Sequence, residues 1–146
     1  MKMFLAFVLV MVIALGAFFA LKNMRQSAAS VEEAPAQTGT VYFAGGCFWG
    51  VEHMMSLVPG VLSARSGYAN GTLENPAYEA VKTGATGHRE TVEVTYNPDL
   101  VSLEELVALF FSSIDPTVEN RQGNDIGSQY QTGIYYQTQE DGQLIR

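Results

Sequence analysis

The run Thr40-Val41-Tyr42-Phe43-Ala44 consists of apolar and β-forming residues and stops at Gly45-Gly46. From Cys47 onward the apolar residues Val51, Met54, Met55 and Val58 recur at helical spacing, until Pro59-Gly60 ends the pattern. A buried strand therefore feeds directly into an amphipathic helix through two glycines, with Cys47 at the helix start. Such a junction requires a sheet and a helix to pack as adjoining layers around one core.

The rest of the chain extends that pattern. Val61 to Tyr68 reads as a second strand. Asn70-Gly71 and Asn75-Pro76 mark a loop, and Ala77 to Lys82 a short helix closed by Gly84. From Glu90 to Tyr96, Val92, Val94 and Tyr96 alternate with Thr91, Glu93 and Thr95, the pattern of a half-buried strand, and Asn97-Pro98-Asp99 turns it. Ser102-Leu103-Glu104-Glu105 is a capping box opening a helix whose apolar face is Leu106, Leu109 and Phe110. Pro116 to Gln131 is a long polar loop, a kind of segment that often carries function. Gly133 to Gln137 is a further strand, and Thr138 begins a helix. The order points to an α+β fold, a two-layer α/β sandwich with a mixed sheet and a ferredoxin-like core, preceded by an N-terminal apolar helix.

That first helix is expected from Met3 to Leu21, 19 consecutive apolar or small residues without a charge. The length suits a bilayer span and exceeds the apolar region of an ordinary signal peptide. Ala34-Pro35-Ala36 and Ser27-Ala28-Ala29-Ser30 leave cleavage open. Basic residues on both flanks, Lys2 against Lys22 and Arg25, leave the orientation open by charge. A short N-terminal stub before one span favours export of the remainder. The organisation read from sequence is thus a signal or membrane anchor over 1–26, a flexible linker over 27–39, rich in Ala, Ser, Glu, Gln and Pro, and a folded domain over 40–146. Five of the 8 basic residues and all 15 acidic ones lie beyond residue 30, without a basic stripe. That balance argues against nucleic acid as a partner.

Cys47 is the single cysteine, so the chain forms no internal disulfide, and with only His53 and His88 as histidines a structural zinc site is not expected. A thiol at a helix start faces the positive end of the helix dipole and free backbone N–H groups, which favour the thiolate. Its alternative is an inert buried cysteine. Phe48 and Trp49 differ by about 100° in direction on a helix, so at least one is free to line a pocket. By themselves, Glu90 also reads as a surface carboxylate at a strand end, Tyr78 and Tyr130 as core residues with satisfied hydroxyls, and Asp125 as a turn former. His53 and His88 read as structural, with His88 fixing the loop before Glu90.

Gly46-Cys47-Phe48-Trp49-Gly50 resembles the signature of the A-type peptide methionine sulfoxide reductases. Further blocks follow in the family's order: Pro59-Gly60-Val61, Gly67-Tyr68, Asn75-Pro76-Ala77-Tyr78, Thr86-Gly87-His88-Arg89-Glu90, Tyr96-Asn97-Pro98, Asp115-Pro116-Thr117, and Asn120 through Tyr130. The resemblance runs from about Val41 to Tyr136. It implies that Cys47 attacks the sulfoxide sulfur, Glu90 protonates the departing oxygen, and Tyr78 and Tyr130 hydrogen-bond that oxygen. It further implies that Phe48 and Trp49 hold the substrate methyl group and that Asp125 supports the site through water or backbone. The implied substrate is the S epimer of methionine sulfoxide, free or in oxidised proteins, in protein repair after oxidative stress. No bound cofactor is implied. Cys47 would become a sulfenic acid, reduced by an external thiol such as a thioredoxin-like protein.

Three positions depart from the family pattern: Ile114 replaces a usual histidine, and Arg89 and Asn70 replace smaller residues. The ending Glu140 to Arg146 follows soon after a helix start without a finishing cap, so the family domain is expected to continue past it. Two other readings compete. One is a cysteine hydrolase using His88 as base. The other is a membrane-tethered redox-sensing or sulfoxide-binding module without turnover.

Overall fold

The computed structural model describes residues 37–146. The anchor expected over 1–26 and nearly all of the linker lie outside the described residues, and among the described residues no helix is long and apolar enough to cross a membrane. The elements in chain order are β1 (Gly39–Ala44), α1 (Phe48–Ser56), β2 (Val61–Ala69), α2 (Tyr78–Lys82), β3 (Arg89–Tyr96), α3 (Leu103–Ser113), β4 (Arg121–Gln122), β5 (Asp125–Ile126), a 3-10 turn (Ser128–Tyr130), β6 (Gly133–Tyr136) and α4 (Gln139–Leu144). Gly39, assigned to the linker from sequence, is already in the sheet, paired with Tyr96.

Four strands form one sheet in the order β2-β3-β1-β6. Every pairing is antiparallel, where the sequence predicts a mixed sheet. The helical crossover from β1 to β2 does make those two strands run the same way, as crossovers of that length allow. But β3 inserts between them, so the parallel pair never become neighbours. Which strand fills the gap depends on contacts distant in sequence, and periodicity carries no information about it.

The core lies on one face of this sheet. Val41 and Phe43 of β1 and Val92 and Val94 of β3 are 0–1% exposed, and they meet Phe48, Val51 and Met55 of α1 and Leu103, Leu106 and Phe110 of α3. The alternation read in β3 thus has its physical cause: its even-numbered residues face the helices. Phe43 and Phe110 pack ring to ring with centroids 4.8 Å apart. At the end of β1 the approach is closest. A Cβ on Gly45 would stand 2.9 Å from the Phe110 ring, so only glycine lets α3 settle there.

The capping box at α3 is formed as read. The Ser102 hydroxyl accepts from the Glu105 N–H at 3.2 Å, and the Glu105 carboxylate accepts from the Ser102 N–H at 2.8 Å. The Ser102 N–H, together with the Ser102 hydroxyl that donates to the same carboxylate at 2.9 Å, holds the Glu105 carboxyl below its usual range. The polar stretch Pro116–Gln131 is more ordered than a loop, since it holds the β4–β5 hairpin and the 3-10 turn. Its order comes from amide side chains and not from apolar burial. Gln122 accepts from the Asp115 N–H at 2.9 Å and donates to the Asp115 carbonyl at 2.6 Å and to Thr132 Oγ1 at 3.0 Å. Ser102→Ala removes one half of the α3 cap and is expected to cost about 1 kcal/mol, roughly 4 °C in Tm, read by thermal denaturation with unchanged far-UV circular dichroism.

Candidate active site

Cys47 is the N-cap of α1, extended at φ −66° and ψ 118°, and is half-buried. The turn before it depends on Gly46, whose φ of +76° lies in the left-handed region. The Gly46 N–H donates to the Tyr130 carbonyl at 3.1 Å, tying the cysteine turn to the 3-10 turn across the site. A cleft of about 350 Å³ reaches Cys47 between α1 and the end of α3, lined by Gly50, Val51, Met54 and Ile114. Ile114 packs against the core there, so this departure from the family motif fills space.

Glu90, on the helix-facing side of β3, is 3% exposed. Its Oε2 accepts from the backbone N–H of Phe48, the residue immediately after Cys47, at 3.1 Å. Burial pushes the Glu90 carboxyl above its ordinary value; the Phe48 N–H opposes this in part, and the negative charge of Asp125 adds to it. Tyr130 is also shifted upward, by burial first and then by the charges of Glu90 and Asp125 and the neighbouring Tyr78. Asp125 thus bears on both Glu90 and Tyr130, and Tyr78 on Tyr130, though these residues come from β3, β5, the 3-10 turn and the start of α2.

Phe48 and Trp49 take opposite roles, as their spacing requires. Phe48 is 6% exposed and belongs to the core cluster, whereas Trp49 is 63% exposed. Trp49 stacks on Tyr78 at 6.4 Å with 22° between planes, and these two exposed rings form an apolar ledge beside Cys47. The polar loop is fastened to the same region. Gln129 donates to the Lys82 carbonyl at 3.1 Å, joining the 3-10 turn to the end of α2, and Arg89 donates to Gln131 through its Nε at 2.8 Å.

His88 is 6% exposed, with its ring edge-on to Tyr68 at 6.4 Å and its Nδ1 buried without a hydrogen-bond partner. Among the described hydrogen bonds none joins it to Cys47, so the arrangement lacks the thiol–imidazole pair that a cysteine hydrolase needs. His53 is exposed on α1. Among the described residues no three His, Cys, Asp or Glu side chains converge as a metal site. The sequence reading named Tyr68 only as a strand end and within a family motif and gave it no role; it pairs directly with Glu90 across β2 and β3. It likewise gave no role to Gln122 and Gln129, which hold the loop.

The peptide methionine sulfoxide reductase family matches residues 39–146. The chain belongs to this family. It is 53% identical over 105 residues to peptide methionine sulfoxide reductase MsrA of Clostridium botulinum (strain Okra / Type B1), covering 72% of this chain and 67% of that protein. With the corresponding protein of Mycoplasma pneumoniae (strain ATCC 29342 / M129 / Subtype 1) it shares 50% identity over 105 residues, 72% of this chain and 67% of that one. Among solved structures it superposes on methionine sulfoxide reductase A of Corynebacterium diphtheriae with a TM-score of 0.70 and 39% identity, covering 77% of this chain and 56% of that chain. Reduced Mxr1 from Saccharomyces cerevisiae gives a TM-score of 0.70 and 36% identity, covering 76% and 66%. The chain therefore spans about two thirds of the curated reductases it matches and little more than half of the Corynebacterium diphtheriae structure.

For this reductase-family chain the buried carboxyl has a measurable consequence. A carboxyl raised in the folded state favours folding most below the ordinary carboxylate range and loses that contribution as pH rises through its raised value. Glu90→Gln keeps an oxygen for the Phe48 N–H and removes the buried charge. Its Tm is expected to match the parent's in acid and to exceed it increasingly toward neutral and alkaline pH; a gap that does not vary with pH would mean that Glu90 is not held in a dry site.

Proposed function

We propose that this chain reduces the S epimer of methionine sulfoxide, free or in oxidised proteins, to methionine, with Cys47 as nucleophile. The observation that carries this reading is the buried Glu90 carboxyl bound to the N–H next to Cys47. A sulfoxide oxygen departs readily only when protonated, and a buried carboxyl keeps its proton for that purpose at a pH where an exposed one has lost it.

In the proposed cycle the Cys47 thiolate attacks the sulfoxide sulfur while Glu90 gives its proton to the oxygen. Tyr78 and Tyr130 donate hydrogen bonds to that oxygen, and Asp125 supports the site from β5. The methyl group rests on the apolar surface of Trp49 with Phe48 behind it. Transfer of the oxygen to Cys47 releases methionine, so the substrate sulfur is reduced by two electrons and Cys47 is oxidised to a sulfenic acid. An external thiol then expels water to form a mixed disulfide, and a second thiol releases Cys47. A thioredoxin-like dithiol protein suits that step, and no prosthetic group takes part.

Two further readings belong with this one. With the short α2 and the β4–β5 hairpin set aside as insertions, the order β-α-β-β-α-β through β6, with β3 between β1 and β2, supports a ferredoxin-like core. The uncharged run Met3–Leu21 supports an anchored or exported protein with its catalytic domain on the extracytoplasmic side. For the latter, a C-terminally tagged chain is expected to stay with membranes through alkaline extraction and to be cut by protease added outside the cell; a tag that is soluble and protected would oppose it.

The activity test is reduction of a racemic methionine sulfoxide peptide with dithiothreitol, scored by epimer. Loss of the S epimer alone, abolished by Cys47→Ser and lowered roughly 10²- to 10⁴-fold by Glu90→Gln, is expected. Sulfoxide binding without turnover by the folded chain would favour a sensing or binding module instead.

A further inference from the structure

Glu90 is almost fully buried although β3 lies only one strand from the sheet edge. The groups that bear on it come from several elements: the Phe48 N–H at the start of α1, next to Cys47, Asp125 on β5 and Tyr130 in the 3-10 turn, with Tyr78 at the start of α2 acting on Tyr130 and His88 two residues earlier in the chain. On the remaining side stands β2, the edge strand. Its residue opposite Glu90 is Tyr68. Directly paired residues share a sheet face, with Cβ atoms about 5 Å apart. The Tyr68 ring also packs on Phe48 at 5.7 Å and meets the His88 ring edge-on at 6.4 Å.

We propose that Tyr68 is a positioning residue that closes the sheet-edge side of Glu90 against water and, by packing on Phe48, holds the carboxyl against the N–H beside Cys47. This rests on the reading of Glu90 as the proton donor. Two observations support it beyond the pairing. Burial is the largest cause of the upward shift at Glu90, so whatever excludes water from it controls its proton. And Tyr68 is itself shifted upward, by burial first and then by Glu90 and Tyr78, which places its hydroxyl in the same electrostatic neighbourhood. The ring is the working part. Its loss admits water from the edge, whereas loss of the hydroxyl alone leaves the wall standing.

The sign follows. Glu90 must be protonated to act, so methionine formation falls as pH rises past its titration. With water admitted, that fall comes at lower pH. The measurement is single-turnover methionine formation without reductant, from acid to alkaline pH, for the parent chain, Tyr68→Phe, Tyr68→Leu and Tyr68→Ala. Tyr68→Ala is expected to move the alkaline limb to lower pH, leaving the rate about tenfold below the parent on that limb and converging with it in acid. Tyr68→Phe is expected to keep the parent's limb, and Tyr68→Leu to fall between. A uniform loss at all pH values, or an equal displacement in Tyr68→Phe, would overturn the proposal.

A second readout needs no turnover. The pH-dependent Tm gain of Glu90→Gln is expected to shrink in the Tyr68→Leu background, and an undiminished gain would overturn the wall. If the parent forms no methionine, the reading of Glu90 as proton donor fails, while this stability cycle still decides whether Tyr68 keeps Glu90 dry.

Discussion

The bond from the Phe48 N–H to the Glu90 carboxyl, 3.1 Å long and buried, joins the two elements on which the site depends. One partner is the first residue of α1, set by the strand-Gly-Gly-Cys junction. The other lies at the start of β3, the strand that pairs with both β1 and β2. An N–H in the first turn of a helix has no carbonyl of its own helix to meet, so offering it to a carboxylate satisfies both groups. The same contact fixes the distance between thiol and acid, because Phe48 follows Cys47 directly in the chain. Chemistry that needs both groups together therefore rests on one backbone bond and on the register of β1, β3 and β2.

Burial and this bond act on the carboxyl's proton in opposite directions. An N–H donor lowers the carboxyl's pKa, and desolvation raises it; desolvation is the larger effect here, with Asp125 adding to it. The outcome suits a proton donor better than either influence alone. Without the N–H the carboxyl would lose its fixed orientation, and without burial it would give up its proton at lower pH. The fold bears a stability cost at Glu90 that grows as pH rises, and the well-packed β1–β3 core can carry it, with Val92, Val94 and Phe43 on the same face all fully buried.

The parts legible in the sequence are those with a local period or cap. The β1-to-α1 junction, the alternation of β3 and the capping box at Ser102 all depend on neighbours within a few residues, and each forms close to where it was read. The family motifs singled out Glu90, Tyr78, Asp125 and Tyr130, which read by themselves also suit surface, core or turn. What remained hidden depends on distant pairing. The insertion of β3 between β1 and β2, and with it the antiparallel sheet, leaves no periodic trace. Nor do the amides of Gln122, which brackets Asp115 at the start of the loop, and of Gln129, which reaches the Lys82 carbonyl far along the chain. Tyr68, visible only as part of a strand and a motif, had no role for the same reason: its importance lies in the register with Glu90.

That register also explains how one site can be dry at its acid and open at its substrate side. Four ring pairs run in sequence, His88 to Tyr68 at 6.4 Å, Tyr68 to Phe48 at 5.7 Å, Phe48 to Trp49 at 5.6 Å and Trp49 to Tyr78 at 6.4 Å. At one end His88 is buried; at the other Trp49 and Tyr78 are exposed. The row changes from wall to ledge between Phe48 and Trp49, adjacent residues on one helix that cannot face the same way. The inner rings pack around the carboxyl, and the outer rings present exposed apolar surface, as the proposed methyl contact requires. The change of role falls within the single helical turn that follows Cys47, where Phe48 joins the rings of Tyr68 and His88 and Trp49 joins that of Tyr78.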